Sequence, residues 1–127
     1  MILVDSDVLI AHLRGIEAAC RWLVEARGRT GPLAVSVVSV AEIGGGMRTG
    51  ERREVTRLLD SLHVLPIDRA VALHAGELRR QYRRSHHTIG LADYLIAATA
   101  RVHGCELATL NVRHFPMMEH LTAPFPL

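Results

Sequence analysis

The stretch MILVD, residues 1–5, decides the fold class, because four consecutive apolar residues end abruptly at an acid. An unbroken apolar run of this length is typical of a strand that is buried on both faces of a parallel sheet. Residues 33–38 (LAVSVV) repeat the pattern, and shorter runs predict strands at 63–67 and 106–110. The sequence therefore predicts at least four strands, the first two of them buried.

Helices are predicted between these strands, where apolar residues recur at helical spacing. The six predicted helices cover residues 7–14, 17–27, 39–49, 51–62, 68–83 and 91–103. Strands that alternate with helices indicate an α/β domain with a mainly parallel sheet. The 127 residues suffice for one domain and are too few for two ordinary ones. We therefore predict a single domain over residues 1–127, with one further short edge strand near its end.

Composition is that of a folded globular protein, with 49% hydrophobic and 22% charged residues. Cys20 and Cys105 form no CxxC pair and lie in apolar patterns, which is typical of reduced, buried thiols. The apolar start of the chain lacks a basic segment, unlike a signal peptide. No apolar stretch reaches the roughly 20 residues of a membrane-spanning helix. We therefore expect a cytoplasmic protein without membrane contact.

Three acids and one amide lie at junctions between predicted strands and helices. Asp5 and Asn111 each follow a strand, whereas Glu42 and Asp93 lie in the first turns of helices. The carboxyl ends of parallel strands form the ligand-binding edge of such sheets, so these four side chains can converge. Clustered carboxylates repel one another unless a cation lies between them. Because Mg²⁺ prefers oxygen ligands, a magnesium site is the favoured interpretation.

Each acid also has a purely structural interpretation. Asp5 can cap the helix at 7–14. The segment from Ser39 to Glu42 reads S-x-x-E, which fits a capping box. Asp93 lies near a helix N-terminus, where the helix dipole favours negative charge. The residues alone leave both interpretations open.

Four segments resemble the sequence motifs of the PIN-domain family, and of its VapC toxins in particular. They are residues 2–10 (ILVDSDVLI), 36–43 (SVVSVAEI), 89–100 (IGLADYLIAATA) and 107–115 (LATLNVRHF). The third is the most specific of the four. Each motif is weak alone, but together they cover essentially the whole chain in the right order.

The resemblance implies a PIN-domain-like three-layer sandwich around a mainly parallel sheet of about five strands. It also implies an endoribonuclease toxin that depends on Mg²⁺ or Mn²⁺ and arrests translation by cleaving structured RNA, such as tRNA or rRNA. The partners implied are a VapB-type antitoxin and a second copy of the chain in a homodimer.

The resemblance also assigns the site residues by position. Asp5, Glu42 and Asp93 become the metal ligands, and Asn111 joins them as a fourth catalytic position. Many relatives have Asp where this chain has Asn111, whose amide offers an oxygen but no charge. A second metal site therefore stays open. Asp7 either adds negative charge at the rim of the site or caps a helix.

Arginine supplies all fifteen cationic side chains, at a formal net charge of only +2. Its planar guanidinium pairs with phosphate through two hydrogen bonds. Two groups stand out, namely Arg48, Arg52, Arg53 and Arg57, then Arg79, Arg80, Arg83 and Arg84. We expect Arg83, Arg84 and Arg113 to contact RNA phosphates, although an ordinary solvated helix face also explains the two groups.

Three other functions fit parts of the pattern. The D-x-D of Asp5 and Asp7 after a strand resembles haloacid-dehalogenase-like phosphatases, which normally need a cation further on and room for a cap. His86 or His87 could serve a metal-independent ribonuclease as general base. A non-catalytic RNA-binding module would keep the fold without the chemistry.

Overall fold

The computed structural model describes residues 1–126 and shows an α/β fold built on one parallel sheet. Its four strands are β1 (Ile2–Val4), β2 (Ala34–Ser36), β3 (His63–Leu65) and β4 (Glu106–Ala108). The strand order is β3-β2-β1-β4, and every neighbouring pair is parallel. The predicted fold class and the four predicted strands are thereby confirmed.

Six α-helices connect the strands, as the apolar spacing predicted. They are α1 (Ser6–Leu13), α2 (Glu17–Thr30), α3 (Val37–Gly45), α4 (Arg52–Asp60), α5 (Arg69–Tyr82) and α6 (Leu91–Val102). A short 3₁₀ turn, Val112–His114, follows β4. None of the helices within residues 1–126 combines the length and apolarity needed to cross a bilayer.

The sheet separates two hydrophobic cores, which makes the fold a three-layer sandwich. Leu3 points from β1 into a core shared with α5 and α6, whereas Val4 points into a core shared with α1 and α2. Both side chains are fully buried. Burial on both faces explains why β1 reads as an unbroken apolar run, since alternation appears only when one face meets water.

The prediction of about five strands is wrong, because the part of the chain described here contains four. The segment after Phe115 contains no strand up to residue 126. Pro116, Pro124 and Pro126 lie in it, and proline has no N–H to donate to a sheet. β4 therefore remains an edge strand.

The predicted bounds of α3 also need correction, since the helix covers Val37–Gly45 and not 39–49. Ser36 is its N-cap, and the Ser36 hydroxyl accepts a hydrogen bond from the N–H of Val38 at 3.1 Å. The helix ends in the run of three glycines, with Gly46 as C-cap. Each glycine costs a helix about 1 kcal/mol relative to alanine, so an early end is the less costly solution.

Candidate active site

The site lies where β1 and β4 end side by side. Val4 pairs with Ala108 across the two strands, and the N–H of Asp5 donates to the carbonyl of Ala108 at 2.9 Å. This pairing places Asp5 and Thr109 next to each other, although they are 104 residues apart in sequence. The sheet register, and not sequence proximity, therefore builds the centre of the site.

Asp5 is a buried carboxylate with a hydrogen bond to each oxygen. Its Oδ1 accepts from the N–H of Ser6 at 2.8 Å, which caps α1, and its Oδ2 accepts from the hydroxyl of Thr109 at 2.8 Å. The capping interpretation of Asp5 is thus correct. It occupies only one of the two oxygens, however, so it does not exclude a second role.

Asp7 turns toward the same threonine. Its Oδ2 accepts from the N–H of Leu110 at 3.0 Å and lies 3.2 Å from the hydroxyl of Thr109. The hydroxyl has one proton, so Asp5 and Asp7 compete for it. The other oxygen of Asp7, Oδ1, is buried and has no hydrogen-bond partner among the described residues. Asp7 is therefore part of the acidic site.

Negative charge in this cluster is poorly compensated. Burial, together with the negative charges of Asp7 and Glu42, raises the pKa of Asp5 from 3.8 to about 7. Burial likewise raises the pKa of Asp7. No ion pair within residues 1–126 involves Asp5, Asp7 or Glu42. The fold thus holds carboxylates together without supplying a cation.

Glu42 reaches the site from α3. Its Oε1 accepts a hydrogen bond from the hydroxyl of Ser6 at 3.1 Å. The capping-box interpretation of Glu42 is wrong, because Ser39 lies inside α3 and the helix is capped by Ser36. Glu42 is consequently free to serve the acidic site.

Asp93 belongs to a second group of side chains at the N-terminus of α6. Its Oδ2 accepts from the N–H of Gly90 at 3.3 Å, so the structural interpretation at the helix N-terminus is correct here as well. The same oxygen lies 3.0 Å from Nδ1 of His114, and the amide of Asn111 lies 2.9 Å from that nitrogen. Hydrogen bonds therefore hold Asp93, Asn111 and His114 together.

One backbone hydrogen bond joins the two groups. The N–H of Asn111 donates to the hydroxyl oxygen of Thr109 at 3.0 Å. The structure thus brings together Asp5, Glu42 and Asp7 around Ser6 and Thr109, and connects Asp93 to them only through Asn111. Within residues 1–126, Asp93 has no direct hydrogen bond to another acidic side chain.

The donor set fits a hard divalent cation that keeps part of its water shell. As placed, no three His, Cys, Asp or Glu side chains of residues 1–126 form a group that could hold a metal ion. Mg²⁺, however, commonly binds through one or two carboxylates and several waters. The buried, unpartnered Oδ1 of Asp7 and the uncompensated charge around Asp5 are the features that such an ion would satisfy.

The residues considered for RNA contact lie at the surface. Arg83 is the C-cap of α5 and Arg84 follows it, while Arg113 lies in the 3₁₀ turn beside His114; all three are exposed. His86 and His87 lie in the segment that leads to α6. There they contact Ser85 and the carbonyl of Arg83, respectively, and not the acidic cluster.

Three polar residues of the site carried no individual prediction. Ser6, Thr109 and His114 all lie inside the quoted motifs, but a motif does not show which side chain each would meet. Their contacts cross from one strand or helix to another. Only the strand order, with β4 beside β1, could have indicated Thr109 as the neighbour of Asp5.

The sequence and fold match those of known proteins. The PIN domain family model matches residues 2–119. The chain is 66% identical to Ribonuclease VapC10 of Mycobacterium tuberculosis over 125 residues, which is 98% of this chain and 93% of that protein. It is 37% identical to Ribonuclease VapC19 of the same species, over 98% and 100% of the two chains. A chain from a toxin-antitoxin complex of Klebsiella pneumoniae superimposes with a TM-score of 0.81 at 26% identity, covering all of both chains.

Proposed function

Because this chain belongs to the PIN-domain family and is a VapC-type toxin, we propose that it cleaves structured RNA with the help of Mg²⁺ or Mn²⁺. The family and the relatives support an endoribonuclease toxin. Metal dependence, and tRNA or rRNA as the substrate whose loss arrests translation, are our proposals. The observation that carries the metal proposal is the buried Asp5 beside Asp7 and Glu42, with no protein cation to balance them.

In this proposal Asp5, Glu42 and Asp93 would hold the ion, in part through its bound waters, and the unpartnered oxygen of Asp7 would add a further acceptor. A divalent ion there supplies positive charge that offsets the carboxylates and polarises the scissile phosphodiester. The hydroxyl of Thr109 favours the ionised form of Asp5, since a hydrogen bond to the carboxylate opposes the rise of its pKa. Asn111 takes part in the site as a neutral amide and adds no negative charge to it.

Exposed arginines bind the substrate in the same scheme. Arg83, Arg84 and Arg113 hold RNA phosphates, and none of the three gives up an ion pair within residues 1–126 in doing so. Their attraction draws a polyanion toward an acidic centre that would otherwise repel it. Binding and chemistry are thereby assigned to separate residues.

We also propose the partners of this chain and the compartment in which it acts. The complex from Klebsiella pneumoniae pairs a toxin with an antitoxin, which supports a VapB-type antitoxin as inhibitor here. A homodimer and a cytoplasmic location complete the proposal, and the two free cysteines, Cys20 and Cys105, suit a reducing compartment. We regard residues 1–127 as one domain, because even Phe125 packs into the core around β1.

The test is to sequence RNA ends after induction of the parent chain and of Asp5→Asn or Asp93→Asn forms. We expect new ends carrying a 5′-phosphate and a 3′-OH with the parent, and none with either variant. Both variants should remain folded, and Asp60→Asn, which changes an exposed carboxylate on α4, should cleave like the parent. EDTA should stop cleavage by the purified parent, and added Mn²⁺ should restore it.

The same experiment decides the remaining alternatives. Membership of the PIN-domain family leaves no support for the haloacid-dehalogenase-like phosphatase. A metal-independent ribonuclease that uses His86 or His87 would leave cyclic phosphate ends and would survive EDTA. A non-catalytic RNA-binding module predicts that Asp5→Asn changes no RNA end.

A further inference from the structure

We propose that His114 is a positioning residue, which fixes the Asp93 carboxylate through Oδ2 and leaves Oδ1 as the oxygen with which Asp93 would bind a metal. The inference rests on the proposed function, in which Asp93 is a metal ligand. In this proposal His114 acts through Asp93 and is not itself a metal ligand.

Only one of the two carboxylate oxygens of Asp93 makes hydrogen bonds within residues 1–126. Both the N–H of Gly90, at 3.3 Å, and Nδ1 of His114, at 3.0 Å, meet the same oxygen, Oδ2. Within residues 1–126, Oδ1 of Asp93 has no hydrogen-bond partner in the protein. Two donors on one oxygen prevent the carboxylate from rotating and leave the other oxygen available.

The protonation of the His114 ring follows from its neighbours. An ionised Asp93 can only accept, so Nδ1 must carry the proton and donate it. The structure places the amide nitrogen of Asn111 2.9 Å from Nδ1, and since two donors cannot pair, the amide has to be turned to present its oxygen to that proton. Rotating this amide by half a turn exchanges its nitrogen and oxygen without moving any other atom. Asn111 and Asp93 thus share one proton of His114.

The contact between His114 and Asp93 connects two parts of the fold and is largely shielded from solvent. His114 is the last residue of the 3₁₀ turn that follows β4, whereas Asp93 lies in the first turn of α6, so the contact joins two separate elements of the fold. Both side chains are largely covered, with 29% of His114 and 20% of Asp93 exposed. Residues that hold a metal ligand in place typically affect metal affinity or activity by about 10- to 100-fold when changed.

Two substitutions of His114 distinguish the effect of its hydrogen-bond donor from the effect of side-chain size. In His114→Asn the amide nitrogen is bonded to Cγ, as Nδ1 is in histidine, so the donor toward Asp93 is retained. In His114→Gln the amide is one bond further out, at the place of Nε2, and the donor toward Asp93 is lost. Asp93→Asn serves as the loss-of-ligand reference, and His103→Gln, in an exposed C-cap of α6, as the matched histidine control.

The experiment measures Mn²⁺ affinity by electron paramagnetic resonance and RNA cleavage by the same proteins. We expect His114→Gln to lose about 10- to 100-fold in Mn²⁺ affinity and in kcat, with KM for RNA unchanged. His114→Asn should recover both to within roughly threefold of the parent. The free energy of unfolding in urea and EDTA should be the same for the two variants, so a difference in Mn²⁺ affinity between them cannot be assigned to folding.

Two results would overturn the inference while the proposed function stands. In one, His114→Gln binds Mn²⁺ like the parent although Asp93→Asn does not. In the other, His114→Asn is as impaired as His114→Gln. A parent chain that neither binds Mn²⁺ nor loses activity in EDTA would instead overturn the proposed function, and this inference with it.

Discussion

Replacing Asp5 by asparagine should stabilise the metal-free protein at high pH, even though it should abolish activity. Burial, Asp7 and Glu42 raise the pKa of Asp5 from 3.8 to about 7. Between these two values the unfolded chain gives up the Asp5 proton while the folded chain keeps it. Ionisation therefore favours the unfolded state, and the free energy of unfolding falls as the pH rises through this window.

The size of the effect follows from the two pKa values. Each tenfold change in a proton equilibrium corresponds to about 1.4 kcal/mol, so a rise from 3.8 to about 7 corresponds to about 4 kcal/mol. The penalty is absent below pH 3.8, grows through the window and is complete above about pH 7. Asparagine carries no charge, and its amide still offers an oxygen to the N–H of Ser6, so the cap of α1 is kept.

The assay is urea unfolding in EDTA at several pH values from about 4 to about 8. The free energy of unfolding of Asp5→Asn minus that of the parent should grow by about 4 kcal/mol across this range. Asp60→Asn, which alters an exposed carboxylate, should show no such growth. Excess Mn²⁺ should stabilise the parent and leave Asp5→Asn unchanged. A difference that is independent of pH, or a variant less stable than the parent at about pH 8, would refute the reasoning.

Three further predictions concern single contacts. Thr109→Val removes the donor to Oδ2 of Asp5, so urea unfolding at about pH 8 in EDTA should show a loss of about 1–3 kcal/mol. That loss should shrink at low pH, where a protonated Asp5 can do without the donor. Charge reversal of Arg83 and Arg84 should weaken RNA binding and lower the slope of log Kd against log salt by about 1.5, as measured on inactive Asp5→Asn. Equal binding at low salt would exclude these two arginines as phosphate contacts. Ser36→Ala should cost about 1 kcal/mol at every pH, because it removes the N-cap of α3 and no titrating group.

The elements of the fold could be predicted because their signals are local. The apolar run before Asp5 reports burial on both faces, and helical spacing reports which face of a helix meets the core. The start of α3 was misplaced for an equally local reason. Ser36 and Ser39 are both good N-cap residues, and only packing decides between them. Ser36 ends β2 and is fully buried, so the helix begins directly after the strand.

The contacts within the site could not be predicted, because they depend on strand order. Nothing local places Thr109 beside Asp5, or His114 beside Asp93; both pairs form only when β4 lies next to β1 and α6 packs against the sheet. The fifth strand, expected both as a short edge strand near the end of the sequence and from the family resemblance, is absent from residues 1–126. The prolines that follow Phe115 argue against it.

The structural and functional interpretations of the acids turn out not to compete at Asp5 and Asp93. A carboxylate has two oxygens, and capping a helix N-terminus requires only one of them as acceptor for a backbone N–H. Asp5 caps α1 with Oδ1 and meets Thr109 with Oδ2, while Asp93 uses only Oδ2 for both of its protein contacts. A change to alanine would therefore remove a cap together with a charge, and loss of activity could not be assigned to either. A change to asparagine removes the charge and keeps an oxygen for the cap, although at Asp5 it replaces the oxygen that meets Thr109, so it separates the chemistry of the site from the stability of the helix that carries it.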